Sequence, residues 1–238
     1  MRLYLLAAAV LGSSLAFTSH ATKLSAAPAG EEAFQVIRGT VTVAGYQPDG
    51  DSIRFVADDS HLFDALYRGN RVRLSKRDGS VQLRLEGMDT PETHYEGKAQ
   101  PYGDTARDAF LQRLGYQDVH FAGNGETVVS SRPAMIRVAV LTRAVETHGR
   151  PIAYLMVSGY EALGTAVQLD PALLKSTLNY AMVASGDAYP LFYTSTPSLH
   201  RTLLREAAQK ARTEKRGLWK LDSTASFALF DQASIGPQ

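Results

Sequence analysis

Between Phe34 and Leu85 the chain is written in short apolar and β-branched runs, and after Asp104 the pattern changes. Val36, Thr40, Val41 and Val43 form the first run, Ile53, Phe55 and Val56 the second, and Val72 with Leu74 a third. Val81-Gln82-Leu83-Arg84-Leu85-Glu86 then alternates apolar and polar residues at period two, as a half-buried strand does. Arg77-Asp78-Gly79-Ser80 has the turn chemistry for a hairpin between the Val72 and Val81 runs. A helix is predicted from Asp104-Thr105, with Ala106, Ala109, Phe110 and Leu114 on one face and Gly115 as its stop. Strands are expected near Val119–Phe121, Ile136–Leu141 and Ile152–Val157, with a polar loop over 124–133. Asp170-Pro171 is a cap followed by a first-turn proline, opening a second helix that carries Leu173, Leu174 and Leu178 and ends by Gly186. A third helix starts near Ser198 and closes at Gly217. Strands gathered mostly in the first half, with helices packed beside them, predict a small closed barrel of the α+β class.

The ends of the chain are of a different kind. Arg2, the apolar run Leu3–Phe17 and Ser19-His20-Ala21 have the order of a secretory signal, so residues 1–21 are expected to be a leader. Residues 22–33 read as a linker, 34–222 as the folded domain and 223–238 as a tail. The expected location is secreted or periplasmic, with no stable membrane association after cleavage, and the expected state is a monomer. Without a cysteine the chain has no disulfides, and any metal must be held by oxygen or imidazole. The formal charge is +1; cleavage after Ala21 removes Arg2 and no acid, leaving 24 basic against 24 acidic residues. So balanced a chain has no overall field for long duplex nucleic acid. If phosphate is the ligand, positive charge has to be local, and Arg84 and Arg150 are its expected seats.

Three clusters can carry chemistry: Asp49-Gly50-Asp51-Ser52 between two strands, Arg84 running into Asp89-Thr90-Pro91-Glu92-Thr93-His94, and His148-Gly149-Arg150 between two later strands. Singly, each also reads as ordinary structure: a β-turn, a capped turn, a solvated strand face, a hairpin cation. Together they are the kit for phosphodiester cleavage. Carboxylates suit calcium or magnesium. A further carboxylate can take a proton from water. Two guanidiniums match the oxygens of a pentacoordinate phosphorus.

These segments resemble the staphylococcal nuclease (thermonuclease) family. Asp49-Gly50-Asp51-Ser52 is similar to its Asp-Gly-Asp-Thr turn, and Leu83–Thr93 to its Arg-to-Asp-Thr-Pro-Glu-Thr segment at the same spacing. Glu146-Thr147-His148-Gly149-Arg150 is similar to its Asp-x-Tyr-Gly-Arg. Tyr102-Gly103, Leu178-Asn179 and Gly217-Leu218-Trp219 follow in the family's order. The resemblance implies an OB-like five-stranded β-barrel with three helices and an exported Ca²⁺-dependent nuclease that leaves 3′-phosphate products on DNA or RNA. It implies Asp51 and Asp89 as Ca²⁺ ligands through carboxylates and Thr90 through its carbonyl. Glu92 would be the general base, and Arg84 and Arg150 would contact phosphate. His148 and Tyr193 are weaker candidates for substrate contact, and single-stranded nucleic acid is the expected partner rather than long duplex. The other reading is a non-catalytic oligonucleotide-binding barrel, which would not need every acid and both arginines. Two stretches exceed the family pattern: residues 57–80, where Leu62, Phe63, Leu66 and Tyr67 at helix-like spacing favour a packed insertion over a substrate reader, and residues 123–131; loops near a barrel mouth can alter substrate access. His94 is expected to be a polar rim residue.

Overall fold

The computed structural model describes residues 33–94, 100–193 and 196–222. The predicted leader and tail, and the linker apart from Ala33, lie outside these. Five strands close a barrel: β1 (Phe34–Thr42), β2 (Ser52–Ala57), β3 (Val81–Leu85), β6 (Met135–Val145) and β7 (Pro151–Met156). Their order is β2-β3-β7-β6-β1, and pairing of β1 with β2 shuts the ring. All contacts are antiparallel except β3 with β7, which run parallel with Arg84 opposite Ile152. A two-residue strand, β8 (Ala166–Val167), adds to the outer end of β1.

Alternation fills the barrel. Ile37, Val41, Ile53, Phe55, Leu83, Leu85, Val138, Val140 and Leu155 belong to one buried cluster. The intervening residues of β6 and β7, Ala139, Leu141, Tyr154 and Met156, join a second cluster with Phe34, Leu169 and Leu174. All six residues of β7 are therefore buried, because helices cover the strand's outer face.

The helices differ from expectation in one respect. α1 (Gly103–Leu114) and α4 (Ser198–Thr213) lie where the sequence puts them. The predicted second helix is two: α2 (Pro171–Lys175) and α3 (Leu178–Ser185). Thr177 takes an extended conformation and its hydroxyl accepts from the Tyr180 amide, so it caps a new helix instead of continuing the old one. The count is thus four rather than three among the described residues.

Two further corrections concern the excess segments. Val72 and Leu74 are not in a strand; they lie in an irregular run after two 3₁₀ turns, Ser60–Ala65 and Gly69–Arg71. Residues 75–80 close a tight loop through the Ser75 and Gly79 amides, donating to Ser80 O and Ser75 O. The polar stretch expected as a loop contains β5 (Val128–Arg132), which pairs with β4 (Gln117–Phe121) as a separate two-stranded sheet. Its two valines favour a strand, and its polar side chains need no core.

Candidate active site

The acidic turns meet because of backbone register. Ser52 pairs with Arg84, so Asp51 lies one residue before the pairing and the Leu85 amide donates to its carbonyl. Gly50 brings the turn down onto Thr90. A Cβ at position 50 would lie 2.6–2.9 Å from three side-chain atoms of Thr90, so no larger residue fits without displacing one motif from the other. Asp89 is fixed from the opposite side, where its amide and carbonyl exchange hydrogen bonds with Tyr189 at 2.9 and 2.8 Å.

Arg84 is the hub. Its Nη1 lies 2.8 Å from Asp51 Oδ2, its Nη2 2.8 Å from Asp89 Oδ1, and its Nε donates to the Tyr193 hydroxyl at 2.9 Å. Three of the five guanidinium N–H groups are thereby used, leaving two. The cation is held charged: its pKa rises above the ordinary arginine value through Asp51, Tyr193 and Asp89, against the opposing effect of burial. Tyr193 reaches it because residues 187–193 run beside 87–89 after α3. Phe192, next to it, is core.

The carboxylates crowd each other. Asp51 is pushed well above the usual range, first by burial, which outweighs Arg84; Asp89 and Asp49 push the same way. Glu92 is raised to about 7, again first by burial, then by the hydrogen bond its protonated carboxyl donates to Asp49 and by the nearby Asp49 and Asp89 charges. Glu92's own amide donates to Gln100 Oε1 at 2.9 Å, which orients it at the mouth of α1. Asp49 is the site residue that sequence reasoning missed as a participant; its place two residues before Asp51 was the available signal.

Arg150 stands at the start of β7. Because Arg84 is opposite Ile152, period two places Arg150 on the same face of the barrel as Arg84. Its Nε and amide both point to Glu146 Oε1 at 3.1 Å. Tyr193 bonds Arg84 through its hydroxyl and lines the same cleft as Arg150. This cleft, of about 520 Å³, is lined by Tyr67, Arg68, Glu146, His148, Arg150 and Tyr193, among others. His94 is elsewhere: its Nδ1 pairs with Glu126 in the β4–β5 connection.

The structure therefore brings Asp51, Asp89, Thr90, Glu92 and Arg84 together, with Arg150, Tyr193 and His148 on the adjoining wall. The family model described as staphylococcal nuclease homologue matches residues 82–221, more than half of the 238. The chain belongs to the staphylococcal nuclease homologue family. No curated protein matches it individually. Family membership supports a nuclease-type hydrolase with nucleic acid as its partner. The matched region contains Arg84, Asp89, Thr90, Glu92 and Arg150 but begins after Asp51. What attaches Asp51 to a nuclease-like site is the ion pair with Arg84.

Do these residues suit a calcium ion? The donors are all oxygen, and two carboxyls at hydrogen-bond range, Asp51 and Asp89, are stabilised by a shared proton or a cation. The Thr90 hydroxyl beside them is buried with no hydrogen-bond partner. Among the described residues no three His, Asp or Glu side chains form a cage by themselves, so carbonyl and water ligands would have to complete the shell. The chemistry fits a hard cation held by few protein groups.

Proposed function

We propose that the protein is an exported, calcium-dependent nuclease that hydrolyses phosphodiester bonds of DNA or RNA and releases 3′-phosphate products, working as a monomer. The observation that carries this reading is Arg84, which gathers Asp51, Asp89 and Tyr193 beside a Glu92 raised to about 7. Structural turns have no need of such a gathering. Asp51, Asp89 and the Thr90 carbonyl would hold the ion, which when bound polarises a phosphoryl oxygen. Glu92 accepts the proton of the attacking water; a carboxylate with a pKa near the working pH is suited to that. The water oxygen joins phosphorus as the bond to the 5′ oxygen breaks and that oxygen takes a proton from solvent, so the phosphate stays on the 3′ side and a 5′-hydroxyl leaves. The two remaining N–H groups of Arg84 and the guanidinium of Arg150 bind the phosphoryl oxygens as negative charge grows on them. An exported protein meets calcium at concentrations that fill weak sites.

The test is digestion of heat-denatured DNA and of RNA with calcium or with a chelator. Digestion should need calcium, and Glu92→Gln should lose about 10²–10⁴ in rate while keeping its fold. Normal digestion by Glu92→Gln would remove the base assignment. Retention of labelled oligonucleotide without digestion would instead point to a non-catalytic binding barrel.

A further inference from the structure

The residues between β2 and β3 that exceed the family pattern are anchored from below and chemically loaded above. Phe63 is 1% exposed and Leu66 6%, so the segment is fixed to the barrel core. Tyr67 bridges to β6, its amide donating to Arg143 O at 2.9 Å and its carbonyl accepting from the Val145 amide at 3.0 Å. Farther on, the Arg73 amide donates to Gly149 O at 3.3 Å. A Cβ on Gly149 would fall 2.4 Å from Arg71 O, and this glycine has a φ of +88°. The segment is thus pressed against the turn that presents Arg150.

Its outward side chains are not those of a packing segment. Tyr67 is 66% exposed although its backbone is fixed, and the Arg68 guanidinium lies 5.0 Å from its ring centroid. Arg68 itself takes a left-handed φ of 62°, which costs a side-chain-bearing residue energy, and it lines the cleft shared with His148 and Arg150. Between residues 68 and 77 there are Arg68, Arg71, Arg73, Lys76 and Arg77 and no acid. Arg71 and Arg73 are exposed and have no carboxylate partner among the described residues. Arg77 turns away over the Tyr46 ring, but in a chain with almost no net charge Arg68, Arg71 and Arg73 put positive charge beside the Arg150 turn.

We propose that this segment is a track for a single strand of nucleic acid: Tyr67 stacks on a base, and Arg68, Arg71 and Arg73 hold the phosphates leading to Arg150. A single strand is the class that fits. A base reaches a fixed ring only when it is unstacked, and arginines beside an aromatic follow a backbone without reading sequence. The inference rests on the nuclease reading for its geometry but is separable from it by experiment.

Oligodeoxynucleotides of about two to about twelve residues, a span chosen to bracket single-strand site sizes, are digested in calcium at several salt concentrations. For the wild type, kcat/KM should rise with length. Tyr67→Ala should raise KM for the longer substrates about tenfold, the loss of one stacked base, and Tyr67→Phe should restore it. In the triple variant Arg68→Ala, Arg71→Ala, Arg73→Ala, the slope of log KM against log salt should fall by about 2, at about 0.7 for each single-strand phosphate no longer neutralised. Unchanged length dependence and salt slope in these variants would overturn the track. If the wild type digests nothing, anisotropy of the same labelled strands in chelator decides it. Weaker binding by both variants keeps the track and sinks the nuclease; equal binding, or none by any protein, sinks the track.

Discussion

The acidic pocket and the arginine-rich segment solve opposite electrostatic problems. In the pocket, Arg84 sits among four carboxylates, Asp49, Asp51, Asp89 and Glu92, two of them ion-paired to it at 2.8 Å. Burial, with the excess negative charge adding to it, makes Asp51 and Glu92 hold their protons more tightly. Next to Arg150, Arg68, Arg71 and Arg73 are exposed cations with no carboxylate partner among the described residues. A cation completes the first region and an anion the second. The expectation that Arg84 and Arg150 are the seats of local positive charge is therefore corrected in part. Arg84 is balanced by its neighbours, and the exposed positive charge lies on the insertion.

The largest effect should come from breaking the hub. Arg84→Ala should reduce nuclease activity by about 10²–10³, the cost of removing one preorganised donor to a developing anion. It should also destabilise the metal-free protein at neutral pH by about 3 kcal/mol in urea titration, because it leaves Asp51 buried without its partner. A loss of activity without a loss of stability would show that the ion pairs do not hold the pocket together.

A smaller effect is expected where the two acidic motifs touch. Gly50→Ala forces a methyl to within 3.0 Å of the Thr90 side chain and should cost about 1–3 kcal/mol. Calcium affinity should fall with it, since Asp51 and Thr90 are carried by the two sides of that contact. Isothermal titration with calcium would check this; unchanged affinity would separate the contact from the ion site.

The smallest concerns Glu86, which is buried on the strand that carries Arg84. Burial raises its pKa, against a hydrogen bond with Thr196 and the Arg143 and Arg201 charges; the Tyr154 hydroxyl also feels its charge, and His200 bonds that hydroxyl. A carboxyl that holds its proton more tightly folded than unfolded stabilises the fold fully below about 4.5, its unfolded value, and progressively less as pH rises through the folded value. Glu86→Gln should therefore gain in Tm relative to the wild type as pH is raised from 4 to 8. A gain that shrinks over that range would mean that Arg143 and Arg201 outweigh burial.

Much of this was legible from local pattern. Period two identified β3, and the cap-proline pair located the start of α2. The excess around Phe63 and Leu66 was readable as packed, because an apolar residue at regular spacing has few other uses. Thr177 was not readable as a helix break. Threonine continues or caps a helix according to its backbone, and only packing decides which. Likewise nothing in Arg68, Arg71 and Arg73 distinguishes a solvated charge run from a track until Gly149 is seen beneath Arg71.

By itself, the sequence determined which chemical groups this protein has: oxygen donors without thiols, a carboxylate suited to proton transfer, arginines at strand ends, and a barrel to hold them. These follow from residue type and short-range spacing, which the chain carries locally. Only the tertiary structure decided which groups face one another. Asp49 faces Glu92, Arg84 spends its charge on Asp51 and Asp89, and the insertion lies against the Arg150 turn. Except for Arg84 with Asp89, five residues on, those pairings join residues far apart in the chain. They are fixed by strand register and by glycines that let backbones approach, and only the closed barrel sets both.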